Sequence, residues 1–416
     1  MTLSNLSSIP ANDSSALLNP AADPGLWPLD PKVTFLNHGS FGSCPRPVLE
    51  FQREIRDRLE RQPICFFVRE LETLWDEARH ALAQFVGAAA DELVFVPNAT
   101  SGINAVLRSL EFSAGDELLV TDHEYNACRN VLNYVADRSR ARVIVAPVPF
   151  PLRNENEMVV PILERVTSRT RLALLDHVTS QTGLVFPIKR LVRELAARGV
   201  DTLVDGAHAP GMVPLNLREI GAAYYTGNCH KWICAPKGAA FLAVRSDRQK
   251  TIRPLVISHG ANSARADRSR FLIEFGWMGT ADPSAMLSVP EALRFMAKLL
   301  PGGWPEIMRR NRALALAARR VLCAASRIDS PCPDEFIGSL ASLPIPDSAS
   351  SEPSKSPLYL DPLQDTLLHK HAIEVPVIPW PHPPKRLLRV SAQLYNSLPQ
   401  YQKLAGALGA EFGRDS

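Results

Sequence analysis

Short apolar runs of strand-forming residues, separated by helix-length amphipathic segments, constrain this chain more than any other feature. Leu93 to Val96, Glu117 to Thr121, Arg142 to Ala146, Leu172 to His177 and Thr202 to Asp205 read as strands. Ser101 to Leu110, Asn126 to Asp137 and Lys189 to Arg198 read as helices between them. Strands apolar along their whole length are buried on both faces, and the intervening helices supply the two covers. The pattern therefore predicts an α/β domain with a mostly parallel sheet. In such sheets ligands bind beyond the carboxyl ends of the strands.

The flanks read differently. Residues 1–30 are polar and punctuated by Pro10, Pro20, Pro24 and Pro28, which predicts a flexible arm. Order is expected from Val33-Thr34-Phe35-Leu36, followed by a helix from Val48 to Arg61 opened by Pro45 and Pro47. A second helix is expected over Phe66 to Val86, stopped at Gly87. Beyond Pro283 come helical stretches at Pro290 to Leu299 and Pro305 to Ser326, and a Ser/Pro-rich surface loop at Pro344 to Pro357. A strand at Leu387 to Val390 and a helix at Gln400 to Phe412 end the chain. The expected division is an arm (1–30), a large domain (31–285) and a smaller α+β C-terminal domain (286–416), with no internal repeat.

Composition excludes several function classes. The 46 basic and 43 acidic residues are interspersed, so nothing argues for nucleic acid or an anionic membrane as partner. Arg265, Arg268 and Arg270, broken by Asp267, read as a solvated loop. Seven cysteines, an odd number without metal-type spacing, in a chain too long to need disulfides predict a reducing cytoplasm and no metal. The N-terminus lacks the basic start and apolar run of a signal peptide, and no stretch approaches the roughly 20 apolar residues of a membrane span.

Three places carry chemistry. Asp205 ends an apolar strand and is followed by Gly206-Ala207-His208-Ala209-Pro210, so its carboxylate faces the ligand crevice. Lys231, within Thr226-Gly227-Asn228-Cys229-His230-Lys231-Trp232, has apolar neighbours that favour loss of its proton and make it a nucleophilic amine. Asn98-Ala99-Thr100-Ser101-Gly102, between a strand and a helix start, offers amides and hydroxyls to a phosphate. An amine, an acid and an anion cradle are the parts required by pyridoxal 5′-phosphate (PLP). Singly, each has an ordinary structural explanation: a strand-end Asp, a surface His-Lys pair, a helix cap.

Asp205 to Pro210 together with His230-Lys231-Trp232 resembles the class V aminotransferase superfamily, and within it the isopenicillin N epimerase-like branch. Further motifs of the resemblance are Asn37-His38-Gly39-Ser40-Phe41-Gly42, Asp122-His123-Glu124-Tyr125, His177 to Leu184 and Arg389-Val390-Ser391-Ala392. The resemblance covers about residues 30–410. It implies a fold-type I PLP enzyme with a mostly parallel seven-stranded sheet, and a homodimer with shared active sites. It implies that Lys231 holds PLP as a Schiff base and moves the Cα proton, and that Asp205 holds the pyridinium nitrogen. His123 would stack on the ring, with Tyr125 the rival. His208, assisted by Ser180, would bond the ring phenolate; Ala99, Thr100, Asn228 and His230 would hold the phosphate. Thr280, after Gly279, would reach the phosphate of the neighbouring subunit. Arg389 would clamp the α-carboxylate of an amino-acid-type substrate, because its planar fork gives two parallel charge-assisted bonds.

PLP weakens the bonds at Cα, and the protein decides which one breaks. Epimerisation is the first expectation, because the motifs stand nearest that branch; C–S lysis by β-elimination and transamination are the alternatives. A desulfurase needs a nucleophilic Cys before the carboxylate-binding Arg, where this chain has Val375-Pro376-Val377-Ile378-Pro379-Trp380. A catalytically inactive PLP-fold binding protein is the reading from another class; the joint presence of Lys231, Asp205 and Arg389 speaks against it.

Overall fold

A computed structural model of the protein describes residues 14–349, 351–352, 358 and 361–413. The five predicted strands form as Leu93–Val96 (β1), Glu117–Thr121 (β2), Arg142–Ala146 (β3), Thr170–Asp176 (β4) and Asp201–Asp205 (β5). Tyr224–Asn228 (β6) and Ala240–Val244 (β7) complete a seven-stranded sheet of order β1-β7-β6-β5-β4-β2-β3. β7 is antiparallel to both neighbours and every other pair is parallel. The reading above left out β7, whose Ala-Phe-Leu-Ala-Val sequence is weak in β-branched residues and forms a strand through burial between two neighbours.

The sheet divides its side chains with a period of two. Leu118, Val120, Leu172 and Leu174 join one core, while Leu119, Ala173, Leu175 and Val204 join the other. The first core is covered by helices Ala99–Ser109 and Asn126–Ser139, the second by helices Leu71–Val86 and Ile188–Ala196 among others. Helix Leu71–Val86 begins later than expected, because Phe66–Glu70 is a π turn; it ends at left-handed Gly87 as read.

A second sheet, Val377–Pro379 next to Arg386–Ser391 next to Leu340–Ile345, is antiparallel throughout. It packs beneath the long helix Gly303–Ser326, which also packs on Leu398–Glu411. The strand Leu340–Ile345 takes the first residues of the expected Pro344 to Pro357 loop, with Pro344 half-buried within it; residues 350 and 353–357 of that loop lie outside the described residues. Thr34–Phe35 pairs in parallel with Ile373–Glu374, so the start of the chain is built into the C-terminal part rather than the large sheet.

The expected arm is corrected from Ser14 onward. Trp27 is 1% exposed and packs edge-on against Tyr395 at 5.0 Å. The amides of Ala21 and Ala22 donate to the Leu394 carbonyl, and Arg310 donates to the carbonyls of Ala16 and Asn19. Prolines that interrupt regular structure here serve a docked, turn-rich segment. The Arg265 to Arg270 loop is solvent-facing as read, with Arg265 and Arg268 paired to Glu72 and Asp76 of helix Leu71–Val86. No helix among the described residues is long and apolar enough to cross a membrane.

Replacing Trp27 with Ala is expected to cost about 3–5 kcal/mol of stability, the range for truncating a buried aromatic. Denaturant unfolding followed by a spectroscopic probe checks this; a cost within about 0.5 kcal/mol, typical of surface positions, would mean the segment is not docked.

Candidate active site

The carboxyl ends of the parallel strands gather the predicted residues. Asp205 closes β5, His208 follows in the next turn, and Asn228 closes β6 just before His230 and Lys231. The loop carrying Lys231 is held from outside the sheet. His38 Nε2 donates to the Lys231 carbonyl at 3.0 Å, while Tyr395 Oη bonds His38 Nδ1 at 2.8 Å. Burial lowers the His38 pKa to about 3, so the ring is neutral and keeps one donor and one acceptor. Gly42, at φ +68°, lies so close that a Cβ would sit 2.0 Å from the His230 carbonyl oxygen; only glycine fits.

Lys231 Nζ lies 2.9 Å from His208 Nε2, and Trp232 Nε1–H donates to His208 Nδ1 at 3.5 Å. A neutral histidine that accepts at Nδ1 carries its proton on Nε2, which then points at the lone pair of an uncharged amine. Both titrations move in the direction this contact needs. Burial, then the Lys231 charge, pushes His208 well below its ordinary value. Burial, then the Arg389 charge, lowers Lys231 from 10.5 to about 7. Asp205 is buried; its Oδ1 accepts from the Ala207 amide at 2.9 Å and its Oδ2 from the Cys128 thiol at 3.2 Å.

Arg389, 3% exposed on the central strand of the second sheet, reaches across to the first. Its Nη1 donates to the Ser180 carbonyl (2.5 Å) and hydroxyl (3.4 Å), and its Nη2 to Ser40 Oγ at 2.8 Å. Its Nε is buried without a partner. Lys231 and Arg389 line one cavity of about 500 Å³ together with Ser40, Tyr125 and Ser180.

The other expected site residues have the following surroundings. His123 does not line that cavity: its ring nitrogens are bonded to Thr182 Oγ1 and the Val148 carbonyl, both at 2.8 Å, and it packs against Trp380 and Phe186. Tyr125, the rival for the ring face, does line it. Ser180 accepts from Arg389 through its carbonyl and its hydroxyl. The Ala99 amide donates to Asn228 Oδ1 at 2.9 Å, so these two fix the helix start to the end of β6 and leave Thr100 as the first-turn residue of the cradle. His230 bonds the Ala239 carbonyl through Nδ1 and has its other nitrogen to offer. Thr280 is exposed on a separate groove with Trp277 and Val256, outside the Lys231 cavity of its own chain. Sequence alone assigns no role to His38, Ser40 or Trp232, although His38 and Ser40 sit in the Asn37 to Gly42 motif.

A titratable amine, a buried carboxylate with fixed orientation, a helix start and a buried guanidinium with a bare N–H form a donor set that fits PLP and an amino acid. The model of the family "Aminotransferase class-V" matches residues 65–346. The chain belongs to the class V aminotransferase family. Family members are PLP-dependent enzymes, and this chain is one of them. An isopenicillin N epimerase from Amycolatopsis lactamdurans is 35% identical over 91% of this chain and 95% of its own. A probable chloroplastic L-cysteine desulfhydrase from Arabidopsis thaliana is 32% identical over 91% of this chain and 83% of its own. Among solved structures, the cystine C–S lyase C-DES with cysteine persulfide superposes with a TM-score of 0.73 at 21% identity, covering 90% of this chain and 97% of that one. The cysteine desulfurase CsdA of Escherichia coli superposes at 0.74 and 19% identity, covering 94% and 97%. These neighbours bear out the fold-type I expectation.

In the cofactor-free protein, acylation of Lys231 followed on its peptide by mass spectrometry is expected to rise through about pH 7. A rise only near 10.5, the ordinary lysine value, would contradict the neutral Lys231–His208 contact. The sign for stability follows: between those two values the unfolded chain binds the extra proton, so the penalty of burying Lys231 is full below pH 7 and relaxes as pH rises to 10.5.

Proposed function

We propose that this enzyme acts at the α-carbon of an amino acid or amino-acid-derived substrate, with epimerisation of the isopenicillin N epimerase type as its reaction. The observation that carries the reading is Lys231 Nζ at 2.9 Å from His208, with Lys231 and Arg389 lining one cavity. PLP, when bound, supplies an electron sink that weakens the bonds at the α-carbon. Lys231 is its anchoring amine in this reading, and Asp205 faces the pyridine nitrogen. His208 bonds the phenolate oxygen, Tyr125 covers the ring, and Thr100 and His230 hold the phosphate.

The proton chemistry then belongs to the chain. Lys231, its titration drawn down to about 7, takes the α-proton at Nζ from one face, and epimerisation is completed by a proton delivered to the opposite face. Arg389, already braced by Ser40 and Ser180, takes the α-carboxylate from the cavity it lines. Burial removes competing water, which strengthens each of these charge contacts.

The epimerase reading is supported by the 35% identical relative, which spans nearly the whole of both chains. C–S lysis is the second reading, favoured by the desulfhydrase at 32% identity. A persulfide-forming desulfurase has no support: all seven cysteines are described, and none lines the cavity. The reading includes a homodimer, supported by exposed Leu255 and Val256 lining the Thr280 groove, and a reducing cytoplasm, in keeping with seven free cysteines.

Purified protein offered a panel of L-amino acids is assayed for the D-form, pyruvate and sulfide, wild type beside Lys231→Ala. Epimerised product without pyruvate, lost in the variant, is expected; pyruvate or sulfide would transfer the assignment to C–S lysis. Arg389→Lys is expected to lower kcat/KM roughly a hundredfold, the scale of losing about 2–3 kcal/mol in charge-assisted hydrogen bonds. Unchanged kcat/KM would remove Arg389 from substrate binding.

A further inference from the structure

Behind Asp205 stand two more buried carboxyls that the proposed mechanism does not use. Asp176 closes β4 as Asp205 closes β5, and the two are direct partners in the parallel ladder, so their side chains leave the sheet on the same face. Glu124 arrives from the turn after β2, the next strand beyond β4. Glu124, Asp176 and Asp205 are only 5%, 2% and 3% exposed, too enclosed for water to screen three charges.

The hydrogen bonds separate the three. Both oxygens of Asp205 accept a donor, from the Ala207 amide and the Cys128 thiol. Glu124 Oε1 accepts from the Tyr125 amide at 3.1 Å. Glu124 Oε2 and Asp176 Oδ2 are buried with no donor at all. These two carboxyls lie within hydrogen-bonding reach of one another. Ionised carboxylates only accept, so two of them face to face would bury two orphaned acceptors and two like charges. A single proton between them removes both costs.

We propose that Glu124 and Asp176 share one proton, forming a buried pair with a single negative charge that acts as a positioning group for Asp205 and raises the proton affinity of the ring nitrogen Asp205 faces. The electrostatics run in this direction: burial first, then the neighbouring carboxylates, push both Glu124 and Asp176 well above the ordinary carboxyl range. The other titratable groups facing the pair are Cys128, whose thiol burial keeps protonated, Arg129, which acts on Glu124, and Lys231, which acts on Asp205. Tyr225, bonded to His177 at 2.8 Å, feels the Asp205 charge from β6. None of these sits between the two orphaned oxygens as a donor. The inference about the ring nitrogen rests on the PLP reading of Asp205; the shared proton does not.

The test has two parts. Infrared difference spectra of the cofactor-free protein in H₂O and D₂O, wild type against Glu124→Gln and against Asp176→Asn, read the protonated carboxyl directly. The wild type is expected to show a protonated-carboxyl band at neutral pH that each single variant loses, because an amide then donates to the remaining carboxylate. Absence of the band in the wild type, as a bound cation in place of the proton would give, overturns the shared proton; so does a band of undiminished intensity in either variant. The second part loads the same proteins with PLP labelled at the ring nitrogen and follows its ¹⁵N shift with pH. Each single variant keeps one negative charge and is expected to titrate like the wild type. The double variant carries none, and its ring nitrogen is expected to lose its proton at lower pH, by on the order of tenfold or more in proton affinity. An unmoved titration in the double variant overturns the positioning role. Failure of every protein, wild type included, to take up PLP would overturn the cofactor reading while leaving the infrared result standing.

Discussion

A lysine amine that must be uncharged in order to act depends on being taken out of water, and the surroundings of Lys231 are arranged to do that. Burial draws its titration down to about 7, Arg389 adds a second push by like charge, and Asp205 opposes both from the other side. The 2.9 Å contact with His208 joins two groups whose charged forms burial disfavours. Burial depends in turn on the whole end of the sheet. Asp205 and Asn228 are the last residues of two adjacent parallel strands, and the loop after β6 is pinned by His38 and by the close approach of Gly42.

The second sheet is the other half of that enclosure. Arg389 lies on its central strand and is useful only because Ser40 and Ser180, from distant parts of the chain, fix its two terminal nitrogens. A guanidinium with two arms occupied and the third N–H bare and buried is oriented before a ligand arrives, which lowers the ordering cost of binding a carboxylate. The start of the chain belongs to this half: Thr34–Phe35 completes a pairing with Ile373–Glu374, and Trp27 packs on Tyr395, whose hydroxyl bonds His38. Residues far from the chemistry in sequence therefore bear on the position of Lys231 through two contacts.

Much of the architecture was readable from period alone. β2 and β3 span the residues expected of them, and Leu118, Leu119 and Val120 alternate between two cores as the spacing requires. β7 and the strand Leu340–Ile345 escaped the reading for opposite reasons: the first is alanine-rich, and the second contains a proline. Both are strands because neighbours pair with them, a tertiary effect that overrides local preference. The docked segment before residue 30 escaped because prolines look the same in a free arm and in a turn-rich stretch laid on a surface.

At the site, residue chemistry and order in the chain identified the kinds of group present. A strand-end Asp205, a Lys231 in apolar company and a polar turn at Asn98 to Ser101 mark a PLP site, because each group's type limits what it can do. Which of two neighbouring aromatic rings lines the cavity was decided only by the fold. His123 and Tyr125 are two residues apart in an irregular turn, where no period dictates direction, and Thr182 and Val148 take the histidine. The same holds for Ser180, turned to Arg389 from 209 residues away, and for Asp176, set beside Asp205 by the ladder. Sequence determined the inventory, since composition and period act locally; the tertiary structure decided partners, burial and protonation, since those depend on contacts between segments that the chain brings together only on folding.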